Sequence, residues 1–282
     1  MWKIDTSTIS PLTFSETDFD SITKRLPPGL YTTFRTFAQR AKVIGLSAHL
    51  ARLYQPAWPE KLVIVRSQRE LRQILMQLLS SIGVDEARLR IVLDTTSEPG
   101  TLYIMMQPFQ TLPEKLYHDG VHVALSARSR DEPKLKKTQF ISASASERER
   151  IRGDVFEILL THRGRILEGM TSNFFYVCGD LLGTAGRGIL QGVTRGTVLA
   201  LAREANIQVR YRALPCYSIS SIAEAFLTSS SRGIVPITRI ENQNIGSARI
   251  VTRKLMEMYD QQLCSLAESI WNDPTLSRNN VI

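Results

Sequence analysis

The chain has 282 residues, 43% hydrophobic and 22% charged, an ordinary balance for a globular protein and enough length for two domains of about 100–150 residues. Its 35 basic and 27 acidic residues give a net charge of +8. Apart from the lysines at 134–137 and "ERERIR" at 147–152 the cations are scattered, which suits an anionic small molecule better than nucleic acid. The three cysteines lie far apart and the four histidines show no ligand spacing, so neither a disulfide framework nor a metal site is expected. "MWKIDTSTIS" carries no secretory signal, and no apolar run approaches the roughly 18 residues of a membrane span. A cytoplasmic protein without a membrane partner is expected.

In chain order, "PPGLYTTFRTFAQRAKVIGLS" opens on a Pro-Pro-Gly break and continues as two β-rich runs, "LYTTFRTF" and "KVIGL", read as a hairpin. "SAHLARLYQPA" has helical spacing with Ser47 as its N-cap. "SQRELRQILMQLLSSIG" places Leu71, Ile74, Leu75, Leu78 and Leu79 on one helix face, with Gly83 as the stop. "ARLRIVLD" and "TLYIMMQPF" are strands joined by "TTSEPG". These define a small α+β domain over 1–112, and the Pro-containing stretch 113–120 reads as a linker.

The larger domain, 121–282, begins with the strand "VHVALSA", a helical stretch "TQFISASASERERIRG", and strands in "VFEILLT", "RILEG" and "NFFYVCG". "LLGTAGRGILQG" is a glycine-rich connection. A helix "VTRGTVLALAREAN", the strand "IQVRYRAL", two strands around a polar turn in "EAFLTSSSRGIVPITRI" and a closing helix in "SARIVTRKLMEMYDQQLCSLAESIW" follow.

Three features suit an anion. Free N–H groups at Val193 and Thr194 open a helix; "TSSSRG" sets hydroxyls and Arg232 in a turn; Arg52 lies near His49 on a helix and can clamp a phosphate. "EPKLKKTQF" supplies lysines whose alternation sends Lys136 and Lys137 to opposite faces. "RILEGMTSNFFYV" ends a strand on the acid Glu168 beside Thr171, Ser172 and Asn173. A lysine for an aldehyde, an acid for a ring nitrogen and donors for a phosphate together suggest pyridoxal phosphate.

From about Pro27 to Tyr259 the sequence resembles the fold-type IV pyridoxal-phosphate enzymes, the class IV aminotransferases, which include branched-chain and D-amino acid aminotransferases and aminodeoxychorismate lyase. "EGMTSNFF", "LQGVTR", "EAFLTSSSRGIVPI" and "HLARL" carry the resemblance. It implies a two-domain fold, a small N-terminal α+β domain and a larger one with a β-barrel-like sheet and helices. By position Glu168 would pair with the ring nitrogen. Arg52, Val193, Thr194 and Ser230 would hold the phosphate, and Asn173 would line the cofactor. Lys136, 32 positions before Glu168, would carry the Schiff base, with Lys137 as the alternative.

Tyr31, Arg35 and Arg232 are candidates for the substrate side. "TLYIMMQPF" lacks the Arg-x-His that D-amino acid aminotransferases use there. The resemblance implies an aminotransferase moving an amino group between a small amino acid and a 2-keto acid in a homodimer. The alternatives are an aminodeoxychorismate lyase and a non-catalytic basic binding protein.

Overall fold

The computed structural model describes residues 1–57 and 62–271. The chain divides into two compact units. Among the described residues the first holds Met1–Gln110 together with Leu135–Ser142 and 263–271; the second holds Thr111–Lys134 and Ala143–Gln262. Lys136, Lys137 and the strand Ala267–Ser269 go with the first unit, and the stretch expected as a linker contains the helix Glu114–Asp119 within the second.

In the first unit a five-stranded antiparallel sheet runs in the order Ile9–Pro11, Trp2–Ile4, Leu102–Pro108, Ala87–Asp94, Gly29–Arg35. Period-2 alternation gives it two apolar faces. Leu30, Phe34, Leu89, Ile91, Leu93 and Ile104 pack with the helices Leu46–Ala57 and Gln68–Ser80. Tyr31, Val92, Tyr103 and Met105 pack with Phe19 and Ile22 of the helix Phe19–Arg25. Arg90 on this second face is satisfied by Asp20 at 2.7 Å and by the Phe19 carbonyl.

Several local expectations change. "KVIGL" forms the strand Lys42–Ile44, but among the described residues its pairing with the preceding segment is one bridge, Phe37 to Lys42, and its ladder partner is Ala267–Ser269. Ala38, Gln39 and Arg40 adopt positive φ in succession, a bend braced by the Glu86 carboxylate, which accepts from the Gln39 N–H and the Thr36 hydroxyl. The C-terminal stretch therefore does more than close with a helix. After Ile250–Gln261 it makes a short helix, Leu263–Leu266, and the strand that pairs with Lys42–Ile44.

Ser47 lies inside its helix, and its hydroxyl donates to Glu268 at 2.6 Å rather than capping. The next helix starts at a capping box of Ser67 and Glu70 and ends at Ser81, two residues before Gly83.

The second unit is built on a ten-stranded sheet. Six of its strands run Asn173–Cys178, Glu224–Ser229, Gly233–Ile240, Val121–Ser126, Val155–His162, Arg165–Gly169, and the last pairs back onto the first. That closes a barrel. The closing contact is a single register pair, Asn173 opposite Glu168, so the acid at the end of "RILEG" sits at the seam. Val123, Leu159, Ile166, Phe174, Leu227 and Val235 form a common apolar cluster.

The glycine-rich connection holds a strand that its composition hides, Leu181–Thr184, paired antiparallel to Asn173–Cys178 and parallel to Gln208–Tyr211. Gly183 lies under the Tyr176 ring, where a Cβ would come within 2.1 Å of it. "TQFISASASERERIRG" breaks into two short helices, Gln139–Ala143 and Ala145–Glu149.

Candidate active site

In the second unit the strand Arg165–Gly169 presents Glu168, 2% exposed, at the barrel seam. Its carboxylate accepts from Arg130 Nε at 2.8 Å, the Leu190 N–H at 3.0 Å and Asn173 Nδ2 at 3.4 Å. Asn173 Nδ2 also donates to the Leu190 carbonyl at 2.8 Å, which pins the segment leading into "QGVTR" against the seam. Arg130, its side chain 5% exposed, also donates to the Met170 carbonyl at 2.7 Å. A buried carboxylate with a charged partner and a backbone donor is held as an anion in one orientation.

The helix Val193–Glu204 begins at Gly192, with no side chain capping it, so its first-turn N–H groups have no intrahelical acceptor. Gly192 is required by proximity: a Cβ there would lie 2.0 Å from Asn173 Oδ1. Gly169 is small for the same reason, since a Cβ would meet Ser172 Oγ at 2.2 Å. The turn thus needs the absence of a side chain rather than a left-handed backbone. The hydroxyls of Thr194 and Ser230 lie 3.5 Å apart.

Thr228 sits directly opposite Asn173 on the neighbouring strand, 2% exposed, and its Oγ1 has no hydrogen-bond partner. An orphaned buried hydroxyl beside free helix N–H groups and two more hydroxyls fits a phosphate-bearing ligand that also meets Glu168. Phe175 stacks on Phe226 at 4.9 Å on this side of the strand pair, while Phe174 and Tyr176 join the opposite cluster.

Behind the seam Glu157, 1% exposed, accepts from the Thr171 hydroxyl at 2.6 Å and from Arg232 at 3.0 Å. Arg232 also donates to Ser229 Oγ at 3.1 Å. Arg232, a candidate for the substrate side, therefore ties the turn at 171–172 to the turn after Ser229. Glu224, the acid of "EAFLTSSS", accepts from the N–H groups of Val251 and Thr252, so it anchors the start of the helix Ile250–Gln261.

In the first unit the lysine stretch is an added edge to the sheet. The Tyr31 N–H donates to the Lys136 carbonyl, the Thr138 N–H to the Gly29 carbonyl, and Leu30 bridges to Lys137. Lys136 Nζ lies 5.0 Å from the centre of the Tyr31 ring, whose other neighbours include the Arg90 guanidinium at 4.8 Å. His49 is fully buried, with Nδ1 2.7 Å from the Thr32 hydroxyl. Burial, then the charges of Arg52 and Lys136, hold its imidazole well below its ordinary value. Arg52 and Lys136 thus converge on one buried neutral ring. Arg35 stacks over Phe37 at 4.2 Å and Phe109 at 4.4 Å.

The second unit brings together five of the expected cofactor residues, Glu168, Asn173, Val193, Thr194 and Ser230; the first groups Arg52, Lys136 and Tyr31. Reading the sequence missed Arg130, Thr228 and His49. Arg130 precedes Glu168 by 38 positions in a polar stretch without periodicity, so no local signal joins them. His49 stands inside "HLARL", where a helical position gives no hint of Thr32 on a neighbouring strand.

The described residues contain no group of three or more potential metal ligands and no helix long and apolar enough to cross a membrane. What they define is a barrel enzyme with a fixed acid at the seam and the uncapped start of the helix Val193–Glu204 beside it. The family model for class IV amino-transferases matches residues 29–240, and the chain belongs to that family, whose enzymes are pyridoxal-phosphate-dependent.

It is 29% identical over 264 residues to a Thermotoga maritima protein named "Probable branched-chain-amino-acid aminotransferase", covering 89% of this chain and 92% of that one. To the aminodeoxychorismate lyase of Bacillus subtilis it is 25% identical, covering 83% and 85%. The crystal structure of the branched-chain aminotransferase of Thermoproteus uzoniensis shares the fold, with a TM-score of 0.78 at 21% identity over 96% of this chain and 99% of that one.

Proposed function

We propose that the protein is a pyridoxal-phosphate-dependent aminotransferase that exchanges an amino group between a small amino acid and a 2-keto acid. The observation that carries this reading is Glu168, held by Arg130, Leu190 and Asn173 at the barrel seam beside the Gly192–Thr194 turn. When bound, the cofactor supplies an electron-accepting ring that stabilises negative charge at the substrate's Cα.

Each side chain has a defined task. Glu168 keeps the ring nitrogen protonated, and Arg130 fixes the carboxylate that does so. The N–H groups of Val193 and Thr194, the hydroxyls of Thr194, Ser230 and Thr228, and the Arg52 guanidinium hold the phosphate. Asn173 holds the approach to Glu168 in place.

Lys136 would hold the cofactor through its amine and would move a proton to and from the substrate's Cα. Lys136 Nζ lies 5.0 Å from the centre of the Tyr31 ring, on the face assigned to the substrate, which favours it over Lys137. Tyr31 and Arg35 are assigned to the substrate side. The strand Leu102–Pro108 places Tyr103 and Met105 on the Tyr31 face, with no cation among its residues, which favours a substrate other than a D-amino acid. The same reading makes the enzyme a cytoplasmic homodimer.

The test reduces the cofactor-loaded protein with borohydride, maps the adduct and screens amino donors by cofactor absorbance. The expected adduct is on Lys136, and an amino acid plus a keto acid should cycle the absorbance. An adduct on Lys137 would overturn the lysine assignment. Pyruvate release from aminodeoxychorismate with no response to any amino acid would replace the aminotransferase by the lyase.

A further inference from the structure

A concavity of about 800 Å³ in the second unit is lined by Arg165, Arg187, Arg195 and Arg212, with Gln191 and Tyr211 among its other walls. No acidic residue lines it, and among the described residues none of the four arginines makes an ion pair. Four guanidinium groups around one space repel one another; the Glu168 carboxylate bears on Arg195, and among the described residues no acid pairs with any of the four.

Arg195 differs from the other three. It is 5% exposed, fixed by Gln191 Oε1 at 2.7 Å and the Ala185 carbonyl at 3.0 Å, while its Nε has no partner. Burying a fixed cation with an unmet donor is costly unless an anion is bound close by. Tyr211, 51% exposed, adds a flat apolar face to the wall, its ring 5.8 Å from the Arg195 guanidinium and its hydroxyl accepting from Arg203.

We propose that this concavity binds a small anion carrying two or more phosphate groups. Carboxylates are a poorer match: a mono- or dicarboxylate offsets at most two of the four charges, whereas a pyrophosphate or triphosphate group offsets three or four and offers enough oxygens for paired guanidinium contacts. Two sources share this chemistry, a free polyphosphate and a nucleotide whose base lies on Tyr211.

The site is separate from the proposed phosphate cradle of the cofactor but adjoins it in sequence. Gln191 lines the concavity, while its neighbours Leu190 and Gly192 touch Glu168 and Asn173.

The test titrates the cofactor-saturated protein with inorganic pyrophosphate and, separately, with ATP by calorimetry at physiological ionic strength. Saturable pyrophosphate binding that weakens at least tenfold in Arg187→Glu/Arg212→Glu, with transaminase activity without added anion unchanged, is the expected result. Absence of saturable binding, equal binding by the variant, or release of the cofactor on titration would each overturn the proposal. Tighter binding of ATP than of pyrophosphate, with the difference removed by Tyr211→Ala, identifies a nucleotide; equal affinities identify the polyphosphate group alone.

Discussion

At the scale of single residues, the ion pair of Glu168 with Arg130 separates what the fold needs from what the chemistry needs. Glu168→Gln leaves a buried arginine facing a neutral amide, so about 3–5 kcal/mol of stability should be lost. Transaminase turnover should fall by at least about a hundredfold, on the scale of losing a fixed electrostatic contact to the reacting group. Replacing both partners, Glu168→Gln with Arg130→Met, should restore much of the urea midpoint and none of the turnover. If turnover returned with stability, the acid would be a fold element only. Glu168 was legible in the sequence because a carboxylate ending an apolar strand is unusual and its neighbours are hydroxyl and amide groups. Its partner was not, because a pair 38 residues apart is made by sheet closure and leaves no periodic trace.

Among the elements, the helix Val193–Glu204 carries two glycines with opposite meanings, Gly192 at its N-cap and Gly196 within it. At Gly192 a Cβ would strike Asn173 Oδ1, whereas at Gly196 it would meet nothing within 4 Å. Gly192→Ala must push the helix start or Asn173 aside, an overpacking cost of about 1–3 kcal/mol. It should weaken pyridoxal-phosphate retention by roughly tenfold or more, a change in affinity of about 1.4 kcal/mol. Gly196→Ala should instead leave retention unchanged and raise the unfolding midpoint, since alanine gains up to about 1 kcal/mol over glycine inside a helix. Equal effects of the two would remove the cradle argument. The helix itself was easy to read from its spacing, and so were the helix Gln68–Ser80 and the strands Ala87–Asp94 and Leu102–Pro108. Strands Lys42–Ile44 and Leu181–Thr184 were misread in partner or missed outright. In both cases the pairing partner is remote or the composition is glycine-rich, and local propensity reports neither.

For the molecule as a whole, the two units interleave along the chain, and that organisation was the least legible. The first unit takes in the lysine stretch and the C-terminal strand, so Lys136 rests on the sheet that carries Tyr31 although its neighbours in sequence belong elsewhere. Within that unit the fully buried His49 links packing to acidity. Its imidazole is depressed in the folded protein by burial and by the charges of Arg52 and Lys136, while an unfolded histidine titrates near about 6.5. Below that pH the unfolded chain takes up a proton that the folded protein resists. The neutral histidine's share of stability is therefore complete above about pH 7 and is lost as pH falls through about 6.5 toward the folded value. The slope should approach 1.4 kcal/mol per pH unit, written as about one proton of uptake on unfolding. Urea unfolding from pH 7.5 to 5.5 should show the midpoint dropping in the wild type and dropping less in His49→Gln, which keeps a polar atom for Thr32 but cannot be protonated. Parallel curves for the two would mean that His49 is charged in the fold, and the converging cations of Arg52 and Lys136 would then need an acid to offset them.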